Sequence, residues 1–248
     1  MRRNCITQAK PDSQERLVEE LTSFVIVADT PNPRMRSYGP PSLLNIHNHK
    51  LIDLQIKEIS KYFGNYEILL CTGFESEKIT RYIKSKHGDK NIRTVENQNY
   101  NETNSCETLR LALNNTNNSN IFILDGNLLF DGKVFLNTSC KNNRSYTLFE
   151  QSNNTLEVGI NVNESGYAEY IGFGAMNFWS EILYLNEASI INSFSKHLSN
   201  ISSKRKFIFE IVNNLISSRI NIAAIENYTA VYKIQGVKYY HKIKGEKI

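Results

Sequence analysis

Histidine and cysteine are common metal ligands and nucleophiles, but their spacing in this chain does not support either role. His47 and His49 are two residues apart, with no cysteine or carboxylate partner at the spacing of a zinc site. No C-x-x-C pair occurs, and no Ser/His/Asp or Cys/His arrangement can be singled out. We therefore interpret both histidines as loop residues. The cysteines are Cys5, Cys71, Cys106 and Cys140.

A mixture of aromatic and cationic residues at 239–244, near the C-terminus, could contact phosphate or nucleic acid. The 248-residue chain has a net charge of only +4, which is small for a dedicated nucleic-acid-binding protein. A solvated, frayed end is the simpler interpretation of the tail over 238–247. We expect no nucleic-acid partner.

The sequence gives no indication of export or of membrane insertion. Residues 1–20 are a polar extension without the apolar segment of a secretory signal. No later run approaches the ~20 apolar residues of a membrane-spanning helix. We expect no membrane partner and a cytoplasmic location, or association with a virion if the protein is viral.

Strands and helices alternate in the first half of the chain. Residues 24–28 are a short, β-branched apolar run, which is typical of a buried parallel strand. Apolar residues then recur at helical spacing over 51–63 and end at Gly64. This alternation predicts right-handed βαβ crossovers and a parallel sheet. Further strands are predicted over 67–71, 91–95 and 121–124, and helices over 75–86 and 106–113.

The pattern changes after Asp131. A helix-rich segment is predicted over 180–217, and no internal repeat or linker interrupts the chain. We therefore predict a single domain over residues 21–248, after a polar extension at residues 1–20. Further strands are predicted over 145–150, 156–162, 167–179, 220–225 and 230–234.

Five stretches, in order along the chain, resemble the nucleotidyltransferases that join a nucleoside triphosphate to a sugar phosphate or phosphocholine. Residues 27–36 align with that family's loop G-x-G-x-R, and residues 43–56 with the stretch that follows it. Residues 95–104 are similar to the family's N-P-x-Y-x-x-T-N, and residues 123–130 to the segment with its metal-binding Gly-Asp pair. Residues 231–240 resemble its closing strand and helix.

The resemblance implies a three-layer α/β fold with a mostly parallel, mixed sheet of the Rossmann-like, nucleotide-diphospho-sugar transferase type. It also implies attack of an acceptor phosphate on the α-phosphorus of a nucleotide. Backbone N–H groups and cations would bind the phosphates, and carboxylates would hold Mg²⁺. The nucleotide-binding positions that it implies are Ala28, Thr30, Asn32, Arg34 and Asn104.

The resemblance places catalytic groups at Arg34 and Asp125, and metal ligands at Asp125, Asn127 and Glu210. The second carboxylate of the family can also be matched to Gln235, which lacks the charge. A turn or capping role is the commoner explanation for an aspartate at a strand end such as Asp125. Arg34 could equally belong to an ordinary surface pair with Arg36.

Most positions on which this chemistry depends carry other residue types. Thr30 and Asn32 replace the glycines of the loop, and the prolines between and after them remove N–H donors. Pro41 replaces the lysine of the family's P-K pair. Asn127 replaces the metal-binding aspartate and is a weak ligand for Mg²⁺.

Two hypotheses follow from these replacements. We favour a catalytically impaired or inactive nucleotidyltransferase-like protein, retained as a binding or structural module with protein partners and no cofactor. A viral or phage assembly is one setting for such a module. The alternative is a divergent active enzyme that uses Mg²⁺ to transfer a nucleotidyl group to a sugar phosphate or a phosphocholine-like acceptor. In both cases a nucleotide or a phosphorylated small molecule is a candidate ligand.

Overall fold

A mixed β-sheet with helices on both faces organises the chain in a computed structural model, which describes residues 20–32, 34–88, 91–136, 144–151 and 157–245. The predicted extension, residues 1–20, lies outside these ranges except for Glu20. The strands are β1 (Thr22–Ala28), β2 (Asn45–Ile46), β3 (His49–Lys50), β4 (Tyr66–Thr72), β5 (Ile92–Glu96), β6 (Asn120–Asp125), β7 (Leu128–Phe130), β8 (Tyr146–Glu150), β9 (Val158–Val162), β10 (Ala168–Phe173), β11 (Asn177–Asn186), β12 (Ala223–Glu226) and β13 (Val231–Lys233). The helices are α1 (Leu51–Tyr62), α2 (Ser76–His87), α3 (Ser105–Leu113), α4 (Ala188–Leu198), α5 (Ile208–Ser217) and α6 (Val237–Gly245).

The main sheet has the strand order β10-β9-β11-β6-β1-β4-β5, and β8 joins it by pairing with β11 and β12. β6, β1, β4 and β5 are parallel, whereas β11 runs antiparallel to β6. Two small sheets, β7 with β13 and β2 with β3, lie beside it. This architecture confirms the α/β fold with a mixed sheet that the sequence predicts. Within the described ranges, no helix has the length and apolar character needed to span a bilayer.

The position of β1 in the fold explains why polar and apolar residues do not alternate along its sequence. Phe24 and Ile26 pack on the sheet face covered by α1 and α2, and Val25 and Val27 pack on the opposite face against α3. A strand buried on both faces can carry apolar residues at every position. The central strand therefore joins two cores, and its carboxyl end emerges between them.

The prediction of a single strand over 167–179 is wrong, because two strands occupy this region. A turn at Gly174, with φ of 82°, separates β10 from β11. β11 then continues to Asn186, so residues 180–186 are strand and not the beginning of the predicted helical segment. Residues 182–185 are all buried, and a continuous apolar run of this kind suits a buried helix as well as a central strand.

The prediction of a frayed, solvated C-terminal tail is also wrong for the described part of that segment. Residues 237–245 form α6, in which Tyr240 and Ile243 are buried one turn apart. The hydroxyl of Tyr240 donates a hydrogen bond to the carbonyl of Asn45 at 3.0 Å. The cations of this helix lie around an apolar stripe that fixes it to the rest of the protein.

Candidate functional site

A cavity of about 450 Å³ opens at the carboxyl ends of β1 and β6. Ala28, the last residue of β1, and Asp29, which follows it, line the cavity, and so does Asp125 at the last position of β6. In open α/β sheets, ligands characteristically bind at this edge. The opposite wall is aromatic and consists of Phe173, Phe178, Trp179, Phe207 and Phe209.

The position of Asp125 is fixed by a close approach of two chain segments. Gly126 N donates a hydrogen bond to Val27 O at 2.7 Å, and a Cβ at Gly126 would lie 2.6 Å from the Cβ of Ala28. Only glycine fits this contact without a shift of the backbone. Asp125 Oδ1 also accepts a hydrogen bond from Asn127 N at 3.1 Å. Asp125 therefore makes the expected turn contact and also faces the cavity.

Glu181 is a second carboxylate at this site, and a distortion of β11 places it there. The pairing of β11 with β8 shifts register between Trp179 and Leu183, and Glu181 within this bulge has φ of 56°. A bulge redirects a side chain relative to the regular pleat, and a left-handed glutamate is uncommon. Here the side chain turns into the cavity, where it lies against Asp125 and is only 16% exposed.

Lys233, at the end of β13, supplies the positive charge of the cavity. Its ammonium donates a hydrogen bond to Glu181 Oε1 in an ion pair, and its side chain is 21% exposed. Burial works against the charged form of Lys233, but the carboxylates of Glu181 and Asp125 outweigh it and raise the lysine pKa. Lys233 therefore remains an ammonium ion at neutral pH.

Burial and the neighbouring Asp125 raise the pKa of Glu181 to about 7, although Lys233 acts in the opposite direction. Asp29 shows a similar effect: burial is the main cause of its raised pKa, and the charge of Asp125 adds to it. Thr108 Oγ1 donates a hydrogen bond to Asp29 Oδ2 and partly offsets this shift. Several acids thus share a confined space with one cation, which is typical of functional sites.

Four of the five expected nucleotide-binding residues line the cavity, namely Ala28, Thr30, Asn32 and Asn104. Two of them already have structural hydrogen bonds. Asn32 Nδ2 donates to Ile234 O at 2.5 Å, and Asn104 Oδ1 accepts from Ser105 N at the start of α3 at 2.9 Å. Arg34 is exposed, with φ of 60°, and is not among the residues that line the cavity.

The residues at the expected metal position do not fit a resident Mg²⁺ ion. The side-chain oxygen of Asn127 is buried without a hydrogen-bond partner and could accept one bond. However, the two carboxylates beside it, Asp125 and Glu181, already share the ammonium of Lys233. A Mg²⁺ ion bound to both carboxylates would lie next to this ammonium and be repelled by it, and the ammonium already offsets part of their negative charge. In the described part of the chain, no group of three or more histidine, cysteine or acidic side chains could hold a metal.

Glu210 is not placed at this site. Its Oε2 accepts a hydrogen bond from Phe207 N at 2.8 Å, which caps the first turn of α5. Phe207, Ile208 and Phe209 line the cavity, but Glu210 does not. The structure therefore assigns Glu210 a helix-capping role, and Glu181 is the carboxylate that accompanies Asp125. Gln235, the other late position considered, does line the cavity.

The aromatic wall is partly open to solvent. The rings of Phe207 and Phe209 are stacked with centroids 5.6 Å apart, and Phe173 meets Phe209 edge to face at 6.2 Å. Phe173 is 65% exposed and Phe207 is 51% exposed. Exposed aromatic rings at the mouth of a cavity are costly in water and favour contact with a ligand.

Sequence reasoning missed Glu181, Lys233, Asp29 and Glu157 as lining residues. Glu181 lies in a segment that the sequence predicts to be helical, and no sequence pattern indicates the bulge in β11. Lys233 carried a usable signal, because it lies two residues before Gln235 in a motif that was otherwise recognised. Asp29 directly follows the first strand, at the edge where ligands bind.

The fold and the position of the cavity define a protein with the nucleotide-diphospho-sugar transferase fold. Scans against protein-family models and curated proteins gave no match. Solved structures do match. CTP:phosphocholine cytidylyltransferase from Streptococcus pneumoniae is 17% identical, with a TM-score of 0.71 over 91% of this chain and 98% of that one. The inositol-1-phosphate CTP transferase of T. maritima is 11% identical, with a TM-score of 0.72 over 91% and 95%. A UDP-glucose pyrophosphorylase bound to UDP-glucose is 13% identical, with a TM-score of 0.73 over 91% and 98%.

Proposed function

We propose that this protein is a catalytically impaired nucleotidyltransferase-like protein that uses its cavity to bind a small molecule without transferring a nucleotidyl group. Two findings support a common origin with such enzymes: the five ordered sequence motifs, and the shared fold over nine-tenths of the chain. The fold alone does not determine activity, so the proposal depends on the site.

The observation that carries the proposal is the ion pair of Lys233 with Glu181 beside Asp125. Nucleotidyl transfer in the family needs a divalent cation held by carboxylates next to the phosphates. Here a covalently attached ammonium ion pairs with Glu181 beside Asp125 instead. A lysine charge is fixed in place and carries half the charge of Mg²⁺, so it cannot bridge carboxylates and phosphate oxygens in the same way.

The phosphate-binding loop is impaired in a second way. Pro31 lines the cavity where a backbone N–H would be useful, and Pro41 lines it at the position of the family's lysine. The side-chain amide of Asn32 already donates a hydrogen bond to Ile234 O, and Arg34 does not line the cavity. The loop therefore offers few free donors to a triphosphate. Losing donors at such a site typically costs ~3 kcal/mol of transition-state stabilisation for each one.

The charge of the lining indicates which ligands suit the cavity. Among the described lining residues, four carboxylates face the single ammonium of Lys233, a formal charge of −3 when all are ionised. A free triphosphate would be repelled by this surface. A neutral or cationic ligand with a ring or an alkylammonium group could instead contact the exposed aromatic wall and the acids. A nucleoside or a choline-like compound has this chemistry.

The proposal is tested by measuring pyrophosphate release and ligand binding on the same purified protein. Each of the four common nucleoside triphosphates is incubated with Mg²⁺ and either glucose 1-phosphate or phosphocholine. We expect no release above a heat-denatured control with any pair. Thermal-shift measurements should show stabilisation by nucleosides or choline. Protein-dependent pyrophosphate release with any pair would overturn the proposal in favour of a divergent active enzyme.

A further inference from the structure

A second cavity, of about 370 Å³, shares no lining residue with the acidic one. The first turn of α2 and its middle form one side, and Lys50 at the start of α1 forms another. Tyr38, Pro40 and Leu43 close it from the segment before α1. Its volume is sufficient for a small phosphorylated metabolite. No residue of this cavity is among the predicted site residues.

Three cations line this second cavity: Lys50, Lys78 and Arg81. Lys78 is ion-paired with Glu75 at 3.0 Å, and this pair is largely exposed to solvent. Lys50 and Arg81 have no ion-pair partner among the residues that the structure describes. Two cations at the edge of one concave surface are therefore available to a ligand.

Asp53 is a second acid near this group, and its carboxylate already has several hydrogen-bond partners. It accepts a hydrogen bond from the hydroxyl of Tyr82 at 2.6 Å, and its other oxygen lies 2.7 Å from His87 Nε2. Lys50 N donates a further, longer bond to it at 3.3 Å. These contacts hold the Tyr82 ring against the cavity, and among the described residues Asp53 forms no ion pair with Lys50 or Arg81.

We propose that this basic cavity binds a small, multiply charged phosphorylated molecule. Separated cations favour an anion with two or more charges, and Arg81 can donate two parallel hydrogen bonds to phosphate oxygens. The rings of Tyr38 and Tyr82, with Leu43, supply apolar walls for a sugar or base attached to the phosphates. The lining charge is opposite to that of the acidic cavity, so an anion that enters this protein prefers the second site. This inference does not depend on the function proposed for the first site.

The test is a calorimetric titration of the full chain with inorganic pyrophosphate, without divalent metals and at an ionic strength of ~0.15 M, at which long-range attraction is screened. The wild type should bind one pyrophosphate saturably. The double variant Lys50→Gln/Arg81→Gln should bind it at least ~10-fold more weakly, because each lost contact is a charge-assisted hydrogen bond. A thermal melt of each protein checks that folding is retained.

A matched control removes the same charge from the same two helical regions. Lys57 on α1 and Lys84 on α2 are exposed and do not line the cavity. The variant Lys57→Gln/Lys84→Gln should bind pyrophosphate within ~2-fold of the wild type, because general electrostatic attraction at the surface is weak. Equal binding by the two double variants would overturn the proposal, and so would the absence of saturable binding by the wild type. Binding that is lost only in the first double variant supports it.

Discussion

Lys233 and Glu181, which are 52 residues apart in the sequence, form a partly buried ion pair at the edge of the sheet where β6 ends. Lys233 is the last residue of β13, and the bulge in β11 places Glu181 beside it. Asp125 lies beside them, so two acids share one cation. Asp125 is also one of the residues at which the family resemblance implies a metal ligand.

The variant Lys233→Met should destabilise the protein strongly. Removing the ammonium leaves Glu181 next to Asp125 without compensation, and breaking a buried pair from one side typically costs ~3–5 kcal/mol. Urea denaturation measures the free energy of unfolding. The control is Lys238→Met, which replaces an exposed lysine of α6 that has no ion pair with any described residue, and here we expect a change within ~0.5 kcal/mol. Equal effects of both substitutions would argue against a structural role for the pair.

The stability of the protein should depend on pH through Glu181. Burial and Asp125 raise the pKa of this group from 4.5 to about 7, so the folded chain holds the proton to a higher pH than the unfolded chain. The contribution of Glu181 to stability is therefore full below about pH 4.5 and is lost as the pH rises to about 7.

This dependence is measured by comparing the wild type with Glu181→Gln, which resembles the protonated form. Unfolding free energies of both proteins are determined across the same pH series. Relative to the variant, the wild type should lose stability between about pH 4.5 and 7. A difference between the two proteins that stays constant across this range would show that Glu181 does not titrate there.

The variant Gly126→Ala should disturb both stability and the cavity. The added Cβ would lie 2.6 Å from the Cβ of Ala28 and 2.8 Å from Val27 O, so the ends of β1 and β6 must separate. Overpacking of this kind typically costs ~1–3 kcal/mol. Gly236→Ala is the control, because a Cβ there meets no atom within 4 Å. If both variants unfold at the same denaturant concentration, the close contact is not a determinant of the site.

The sequence predicted the fold well because the buried strands and amphipathic helices of the first half are local patterns. Residues 51–63 were predicted as a helix that ends at Gly64, and α1 covers Leu51–Tyr62. Residues 180–186 were predicted wrongly, since a strand covered on both faces has the apolar run of a buried helix. The partnership of Lys233 with Glu181 depends on a bulge and on pairing between distant strands, which local patterns do not encode.

The most direct test of the central claim is a titration of the wild type and of Lys233→Met with Mn²⁺, followed by electron paramagnetic resonance of the free ion. If Lys233 takes the place of the metal, the wild type should show no specific site at submillimolar Mn²⁺. Removing the ammonium should create one site from Asp125 and Glu181, and Asp125→Asn in the Lys233→Met background should abolish it. A single tight Mn²⁺ site in the wild type that disappears in Asp125→Asn would contradict the account and indicate a functional metal centre.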